Sequence, residues 1–449
     1  MKRYEYYRET ASPFLKEVPS HWEDTRIGRG YAEKSIGNND GEQLLSVFLN
    51  RGVVSYTDTD MKQVHKPSED MSSYQLVEPG DFVLNNQQAW RGSVGVSSYR
   101  GIVSPAYIVM TPIMDNNPRF MNYMLRETAC TAQFVLASKG VGSIQRILSP
   151  IKLKSSIMVL PPRAEQDQIV RYLDWQVSKI NRLIAAKRKE IERIQEHLDK
   201  SIEIMFDEIA SSSNDSIPLG RHITSIESGT SVNSIMGTAD NDSIGVLSTS
   251  CVYGNNFDLS QNKRVAPSDY GRVSCPVKKN TLIISRMNAP SLVGACGFSE
   301  KDDTRVYLPD RLWQVRFDNV LMPEYAWRYL STKRIKSWFA TIATGTSSSM
   351  KNITKPQLKS IQIPFPSLEK QAETVRRIKT LCDKCNAACH VFEESIMHLI
   401  DLRTRLISDV VTGQVDVRGI EVPEYEYVAE AIESDENNAE VLEESEEAD

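Results

Sequence analysis

A gapless internal duplication constrains this chain more than any other feature. The segment from Gly140 to Arg171 aligns with the segment from Gly345 to Arg376 at a constant offset of 205 residues. Identities fall at Gly140/Gly345, Ser143/Ser348, the Leu-Lys-Ser triplets 153–155 and 358–360, Pro161/Pro366, Gln166/Gln371, Val170/Val375 and Arg171/Arg376. A repeat of this kind fixes architecture before any single motif does, because each copy must fold as the same unit. Each copy also runs in the same order: a mixed segment of short apolar runs and turn residues, a proline-containing junction, and a long helical stretch. The mixed segments cover roughly 20–160 and 216–365. Within them, Gly80-Asp-Phe-Val-Leu84, Ser93-Val-Gly-Val96 and Thr281-Leu-Ile-Ile-Ser285 read as strands between turn signals, and 120–136 and 323–340 read as helices. The mixture predicts an α+β fold rather than regular βαβ alternation.

The long stretches carry heptads. In the first, Leu173, Val177, Ile180, Ile184, Lys187, Ile191, Ile194 and Leu198 recur at alternating steps of four and three. In the second the pattern runs through Val375, Ile378, Cys382, Cys385, Cys389, Phe392, Ile396, Leu399, Arg403, Leu406 and Val410. Sustained spacing of this kind specifies helices packed along one seam, and the simplest partner for each seam is the other, as an antiparallel coiled coil. Pro161-Pro162 and Pro366 stand just before the helices, where proline is tolerated, and Gly413 stands where glycine ends them. Lys187 and Arg403 interrupt the seams, either as snorkelling stems at the bundle edge or as residues that fix register or meet a partner. The expected layout is a first mixed α/β domain at 1–160, a helix at 161–213, a second such domain at 214–365, a helix at 366–415 and a tail at 416–449.

Charge needs dividing before it means anything. The chain as a whole carries −6, but Glu421–Asp449 holds thirteen acidic residues and no basic one. Residues 1–420 therefore carry 53 basic against 46 acidic side chains, a net of +7. A mildly basic body suits a polyanion-binding surface. The tail, acidic and poor in apolar residues, reads as disordered. No stretch approaches the ~18 apolar residues of a membrane span, and the start has no apolar signal stretch. Seven cysteines without secretory context suit a reducing cytoplasm.

Cys382, Cys385, Cys389 and His390 invite a zinc or redox reading. The three cysteines are successive seam positions, His390 lies about 100° off their line, and a structural zinc site needs four converging ligands. Small apolar thiols inside a coiled coil account for the spacing, and no metal is expected. Several catalytic signatures are absent together: no GxxxxGK[ST], no Gly-rich strand–turn–helix fingerprint, no Asn-Pro-Pro-Tyr-type tetrapeptide and no HExxH. No catalytic residue is assigned.

Taken jointly, the repeat, the junctions and the helices resemble the specificity subunits of type I restriction–modification systems. The resemblance spans residues 15–415. It is carried most specifically by Leu160-Pro-Pro-Arg-Ala-Glu-Gln166 and the weaker copy Pro364-Phe-Pro-Ser-Leu-Glu-Lys-Gln371. Val18-Pro-Ser-His-Trp22, Val411-Thr-Gly413, Gly80-Asp81 with Ser104-Pro105-Ala106-Tyr107, Leu282–Arg286 and Tyr307-Leu-Pro-Asp310 add to it. Lys279-Asn280 departs from the Gly-Asp pair, and the acidic tail lies outside the pattern. The resemblance implies a non-catalytic subunit whose two target-recognition domains read the halves of a split sequence in double-stranded DNA, with the helices as a spacer ruler. It implies no cofactor on this chain: S-adenosylmethionine would serve methyltransferase subunits, and ATP and Mg²⁺ would serve motor–nuclease subunits. The assembled complex would be an adenine methyltransferase and ATP-dependent endonuclease. A coiled-coil adaptor that ignores DNA sequence, or a stand-alone DNA enzyme with a cryptic site, would be the alternatives.

Base edges are read by Arg or Lys at guanine and by Asn or Gln at adenine. Such residues cluster directly after equivalent strands: Asn85, Asn86, Gln87, Gln88 and Arg91 in the first copy, Arg286 and Asn288 in the second. Ser143 and Arg146, with Ser348, Lys351 and Asn352 in the repeat, are candidates for backbone phosphates, which position a protein without reading sequence.

Overall fold

The computed structural model describes residues 2–37, 41–49, 51–56, 71–140, 146–213, 216–240, 242–345 and 350–429. The chain divides into two compact units. One comprises residues 1–188 with 393–449, and the other is the contiguous span 189–392. The division cuts across both long helices, Arg163–Ser213 and Leu368–Val411, so each unit holds one mixed α/β domain and a part of each helix.

In the first unit a four-stranded antiparallel sheet runs in the order Tyr31–Lys34, Tyr107–Pro112, Phe82–Asn85, Val94–Val96. Phe82, Val83 and Leu84 are all fully buried, which explains why this strand is apolar throughout instead of alternating. Helices Pro118–Arg126 and Thr128–Ala137 belong to the same core, bringing the Phe134 ring 6.3 Å from that of Phe82. The pattern read as one helix over 120–136 is thus two. Glu127 breaks it with extended backbone and restarts it by accepting the Ala129 N–H at 2.6 Å.

The second unit repeats this sheet in the same order: Ile223–Ser228, Leu312–Phe317, Thr281–Ser285, Cys296–Ser299. Its helices Pro323–Leu330 and Lys333–Ile342 again divide a stretch read as continuous. In both units the strand leading into the long helix pairs antiparallel with a strand near the start of the unit's chain before the main sheet. Ile157–Leu160 pairs with Glu23–Arg26, and Gln362–Pro364 pairs with Ser216–Pro218. A five-stranded sheet containing one parallel pair is added in the second unit, around 234–307.

The two copies solve one electrostatic problem with opposite signs. Lys34 is paired with Glu78, the counterpart of Lys278 in the second copy, at 3.2 Å and, across the first sheet, with Asp81, 1% exposed, at 2.8 Å. Gly80, at φ +96°, supplies the left-handed turn that delivers it. In the second sheet the acid comes from Glu227 and the base from Lys278, at 3.2 Å. Asn280 at φ +53° makes the turn there. The Lys279-Asn280 departure is therefore accompanied by an exchange of charge between strands.

Each long helix is fastened to its own domain by the repeated glutamine. Gln166 accepts the Asn117 N–H at 2.8 Å and donates to Asn116 Oδ1 and the Pro161 carbonyl. Gln371 accepts the Met322 N–H at 2.9 Å and donates to the Val320 and Pro366 carbonyls. Both side chains are buried, so every bond replaces one that water cannot supply. The first long helix makes further contacts with both domains: Asp174 near its start with Arg119 and Tyr123 in the first unit, and Asp207 near its end with Arg334 in the second, the latter bidentate at 2.7 and 2.8 Å.

Within each unit the helices run antiparallel. In the first, Arg403 Nη1 donates to Asn181 Oδ1 at 2.8 Å, so this seam cation bonds across the pair. Leu173, Ile180, Ile184 and Ile396 are buried there, and Leu399 is half-buried. In the second unit Ile202, Met205 and Phe206 share a cluster with Val375, Ile378 and Cys382. Ile191, Ile194, Cys385, Cys389 and Phe392 are only half-buried, as expected where two helices alone cover one another. Burial raises the thiol pKa of Cys382 and Cys385, in keeping with apolar seam positions.

The amino-terminal motif and the end of the second helix meet in the first unit. Glu165 accepts from Tyr4 Oη at 2.6 Å and Trp22 Nε1 at 3.0 Å, and His21 Nε2 lies 2.7 Å away. Gly413, at φ +73°, sits so close to Pro19 that a Cβ would collide with it and press on Trp22. The disorder expected from residue 416 onward is not found over 416–429, which run along the first helix. Gln168 Nε2 donates to the Val417 and Ile420 carbonyls, Asn181 Nδ2 donates to the Val428 carbonyl, and Ser178 Oγ accepts the Val428 N–H. Residues 430–449 lie outside the described residues.

Gln371→Leu should leave the Met322 N–H and two carbonyls unsatisfied and destabilise the second unit by about 3 kcal/mol. Hydrogen exchange is expected to rise in strand Thr281–Ser285 and remain unchanged in strand Phe82–Asn85. Asp81→Asn, which leaves the buried Lys34 ammonium with Glu78 as its remaining ion-pair partner, should cost the first unit about 2 kcal/mol, measurable as a lower thermal midpoint.

Candidate nucleic-acid interface

The strand Phe82–Asn85 runs out into a loop that the chain folds tightly onto itself. Asn85 Oδ1 accepts the Gln87 N–H at 3.0 Å, an Asx turn, and a 3₁₀ turn follows over Ala89–Arg91. Asn86 spends both its oxygens on the Leu148 N–H, at 3.2 Å each, which ties this loop to the segment after residue 146. The two segments singled out for base and phosphate contacts are therefore neighbours. Gln87 and Arg91 are exposed, Gln88 is half-buried, and Trp90 stands between two arginines. The Arg91 guanidinium lies 5.4 Å and that of Arg146 5.1 Å from the Trp90 ring centroid. Trp90 Nε1 donates to the Gln87 carbonyl, which fixes the ring. Ser143 falls outside the described residues.

The second unit makes the same juxtaposition by backbone pairing. Met287–Asn288 pairs antiparallel with Lys351–Asn352, in register Met287↔Asn352 and Asn288↔Lys351. The Ile353 N–H donates to the Arg286 carbonyl at 2.9 Å. Lys351 stands 205 residues after Arg146, so the repeat puts a cation at one site in both copies. Arg286 Nε donates to the Asp310 carbonyl at 2.7 Å, which steadies the guanidinium while its Nη groups keep no partner among the described residues. Ser348 falls outside the described residues.

Asn288 differs from what its side chain alone suggests. Its Nδ2 donates to Tyr253 Oη at 2.9 Å and Ser285 Oγ at 3.2 Å, and its Oδ1 accepts the Ala289 N–H. The amide braces the loop, which leaves little of it for a bidentate base contact. Sequence reading left out Tyr253, part-exposed on the segment Thr249–Asn255, whose hydroxyl also meets Thr249 at 3.1 Å. Trp90 was visible in the sequence between its polar neighbours, but only the approach of Arg146 gives it a place in the site. Nothing adjacent in sequence marks Tyr253. The carboxamide oxygen of Asn352 is buried and has no hydrogen-bond partner among the described residues.

Together these features form, in each unit, a patch of cations, amides and an aromatic ring at a strand end. Such a patch can meet phosphates through its cations and base edges through arginine or glutamine. Among the described residues no helix is long and apolar enough to cross a membrane.

Residues 246–390 match the family described as type I restriction modification DNA specificity domain. The chain is similar in fold to a solved chain from work on the structural basis of complex assembly and conformational transition of the type I R-M system. The two are 17% identical with a TM-score of 0.55, over 89% of this chain and 99% of that one. Also similar are the HsdS subunit from Thermoanaerobacter tengcongensis (17% identity, 89% and 98% coverage, TM-score 0.40) and a type I restriction–modification system S subunit from M. genitalium (12%, 89% and 97%, 0.35). No curated protein matches the chain. The match lies within the second unit, the fold is shared with the first of these solved chains, and the first unit repeats the four-stranded sheet of the second in the same strand order.

Tyr253→Phe should remove one brace from Asn288 and weaken binding to the cognate DNA about fivefold, consistent with one hydrogen bond. Lys351→Ala should weaken binding evenly across sequences and lower the slope of log affinity against log salt by about 0.9. Both are measurable by fluorescence anisotropy on labelled duplexes.

Proposed function

We propose that this chain is the non-catalytic reader of a type I restriction–modification complex, taking a two-part target in double-stranded DNA with one patch per recognition domain. The observation that carries this reading is the repeated meeting of a polar strand-end loop with a cation 205 residues apart, Arg146 in one copy and Lys351 in the other. Gln87, Gln88 and Arg91 are the base-reading candidates in the first domain and Arg286 in the second. Asn85, Asn86 and Asn288 shape the loops that present them. Arg146, Lys351 and Asn352 take the phosphate-contact role.

Methyl transfer to adenine, with S-adenosylmethionine, belongs in this reading to methyltransferase subunits. ATP- and Mg²⁺-dependent translocation and cleavage belong to motor–nuclease subunits, all within the cytoplasm. The lengths of the two long helices set the unread spacer. Support comes from the specificity-domain match, the shared fold and the basic balance of residues 1–420.

Methylome sequencing of cells that express this chain with a cognate methyltransferase subunit should reveal a split methylated motif. Arg286→Ala should relax one base of one half, worth about 1–3 kcal/mol of discrimination, and leave the other half intact. Removing one heptad from each long helix should shorten the spacer. Absence of sequence preference in a competition assay would identify an adaptor instead, and cleavage or methylation by the purified chain alone would identify an enzyme.

A further inference from the structure

Arg286 follows directly on strand Thr281–Ser285 and is held at three points. Its backbone N–H donates to the Arg311 carbonyl at 3.0 Å, and its carbonyl accepts the Ile353 N–H at 2.9 Å. Its Nε donates to the Asp310 carbonyl at 2.7 Å, which sets the direction of the guanidinium. A guanidinium carries five N–H donors in a rigid fork, so four remain on Nη1 and Nη2. None of the four has an acceptor among the described residues, although the side chain is half-buried.

The polar neighbours do different work. Asn288 spends its amide on Tyr253, Ser285 and the Ala289 N–H. Lys351, opposite Asn288 in the short strand pair, is a single charge on a flexible stem. It stands where Arg146 stands in the first copy. Among the candidate side chains described in this unit, Arg286 alone offers two parallel donors in a fixed direction.

We propose that Arg286 reads a guanine in the half-site taken by the second unit, with Nη1 and Nη2 donating to O6 and N7 in the major groove. The proposal rests on the DNA-reading role given above and adds the identity of one base. Two parallel donors need two acceptors side by side, and guanine presents them. Adenine sets an amino donor beside its N7, cytosine presents an amino donor, and thymine sets a methyl group beside its O4. The fork that suits guanine therefore meets a donor or a methyl group at every other base. A phosphate also offers two oxygens, but a phosphate contact needs charge more than direction, and Lys351 brings charge to the same loop. The bond to Asp310 restrains a side chain that would otherwise lose rotamer freedom on binding. Such preorganisation matters most where one base must be told from three.

The test expresses the full chain with cognate methyltransferase subunits, as wild type, R286A, R286K or K351A, and sequences each methylome. The wild-type chain should give a split motif. R286A should flatten one position of one half, and that position should be a guanine–cytosine pair. K351A should flatten none. R286K keeps the charge but loses the fork, and should keep a guanine preference about tenfold weaker than the wild type. In a duplex carrying the motif, 7-deazaguanine at that position removes N7 and preserves base pairing. It should weaken binding of the wild-type complex about tenfold and that of R286A less than twofold. A flattened adenine–thymine pair would overturn the proposal, as would a motif unchanged in R286A. Even weakening across sequences, with the slope of log affinity against log salt lower by about 0.9, would overturn it in favour of a phosphate contact. A wild-type methylome without a split motif would instead sink the DNA-reading role itself. An intact second half of the motif in R286A shows that the variant chain folds.

Discussion

A buried carboxamide at the root of each long helix is the contact on which the rest of this architecture depends. A helix of 51 or 44 residues transmits any error at its base over roughly 65–75 Å at ~1.5 Å per residue, so the base must be fixed in orientation as well as position. Gln166 and Gln371 achieve this by bonding two separate stretches of backbone at once: the start of a short helix through one side, and the junction proline through the other. A hydrophobic contact could not replace them. Apolar packing tolerates sliding, while a side chain that accepts one defined N–H and donates to one defined carbonyl tolerates little. The identity of this residue in the two copies follows from that demand, and so does the divergence around it: Glu165, which anchors Tyr4 and Trp22, is matched in the second copy by an exposed lysine.

The same economy shows in the ion pairs of the two sheets. Lys34–Glu78 and Glu227–Lys278, each at 3.2 Å, occupy corresponding places with the signs exchanged. What the sheet requires is neutrality at a strand edge near the turn, not a particular residue. Either arrangement leaves the strand edge neutral, whereas a half-exchanged pair would place like charges together. Two copies of a fold can thus drift apart in sequence without drifting apart in shape, provided that both partners change.

Much of the architecture was legible in the sequence because it rests on local periodicity. The heptads marked both helices, the prolines their beginnings and Gly413 the end of the second. The apolar runs marked the central strands. Strand order was not legible, since it arises from pairing between residues such as Val83, Val109 and Lys34 that no local pattern links. The interface was half legible. Arg and amide side chains after equivalent strands pointed to the right loops, but the partition of work among them depends on contacts across the fold. Asn86 and Asn288 turned out to be occupied in bracing, and Trp90 and Tyr253 gained their places through Arg146 and Asn288. Over 416–429 composition suggested disorder, yet helix side chains aligned with peptide groups suffice to order a strongly acidic segment.

The division of the chain into units has a kinetic consequence. Residues 189–392 are contiguous, so the second unit is complete as soon as the ribosome has passed its end. The first unit is not: its residues 1–188 must wait for 393 onward, and contacts such as Arg403 to Asn181 or Gly413 to Trp22 close loops of more than two hundred residues. Loop closure over such distances is slow and comes late. During synthesis the amino-terminal domain therefore spends the translation time of half the protein with its helical seam uncovered. Order of emergence makes the first half of the gene encode the last part of the molecule to be finished.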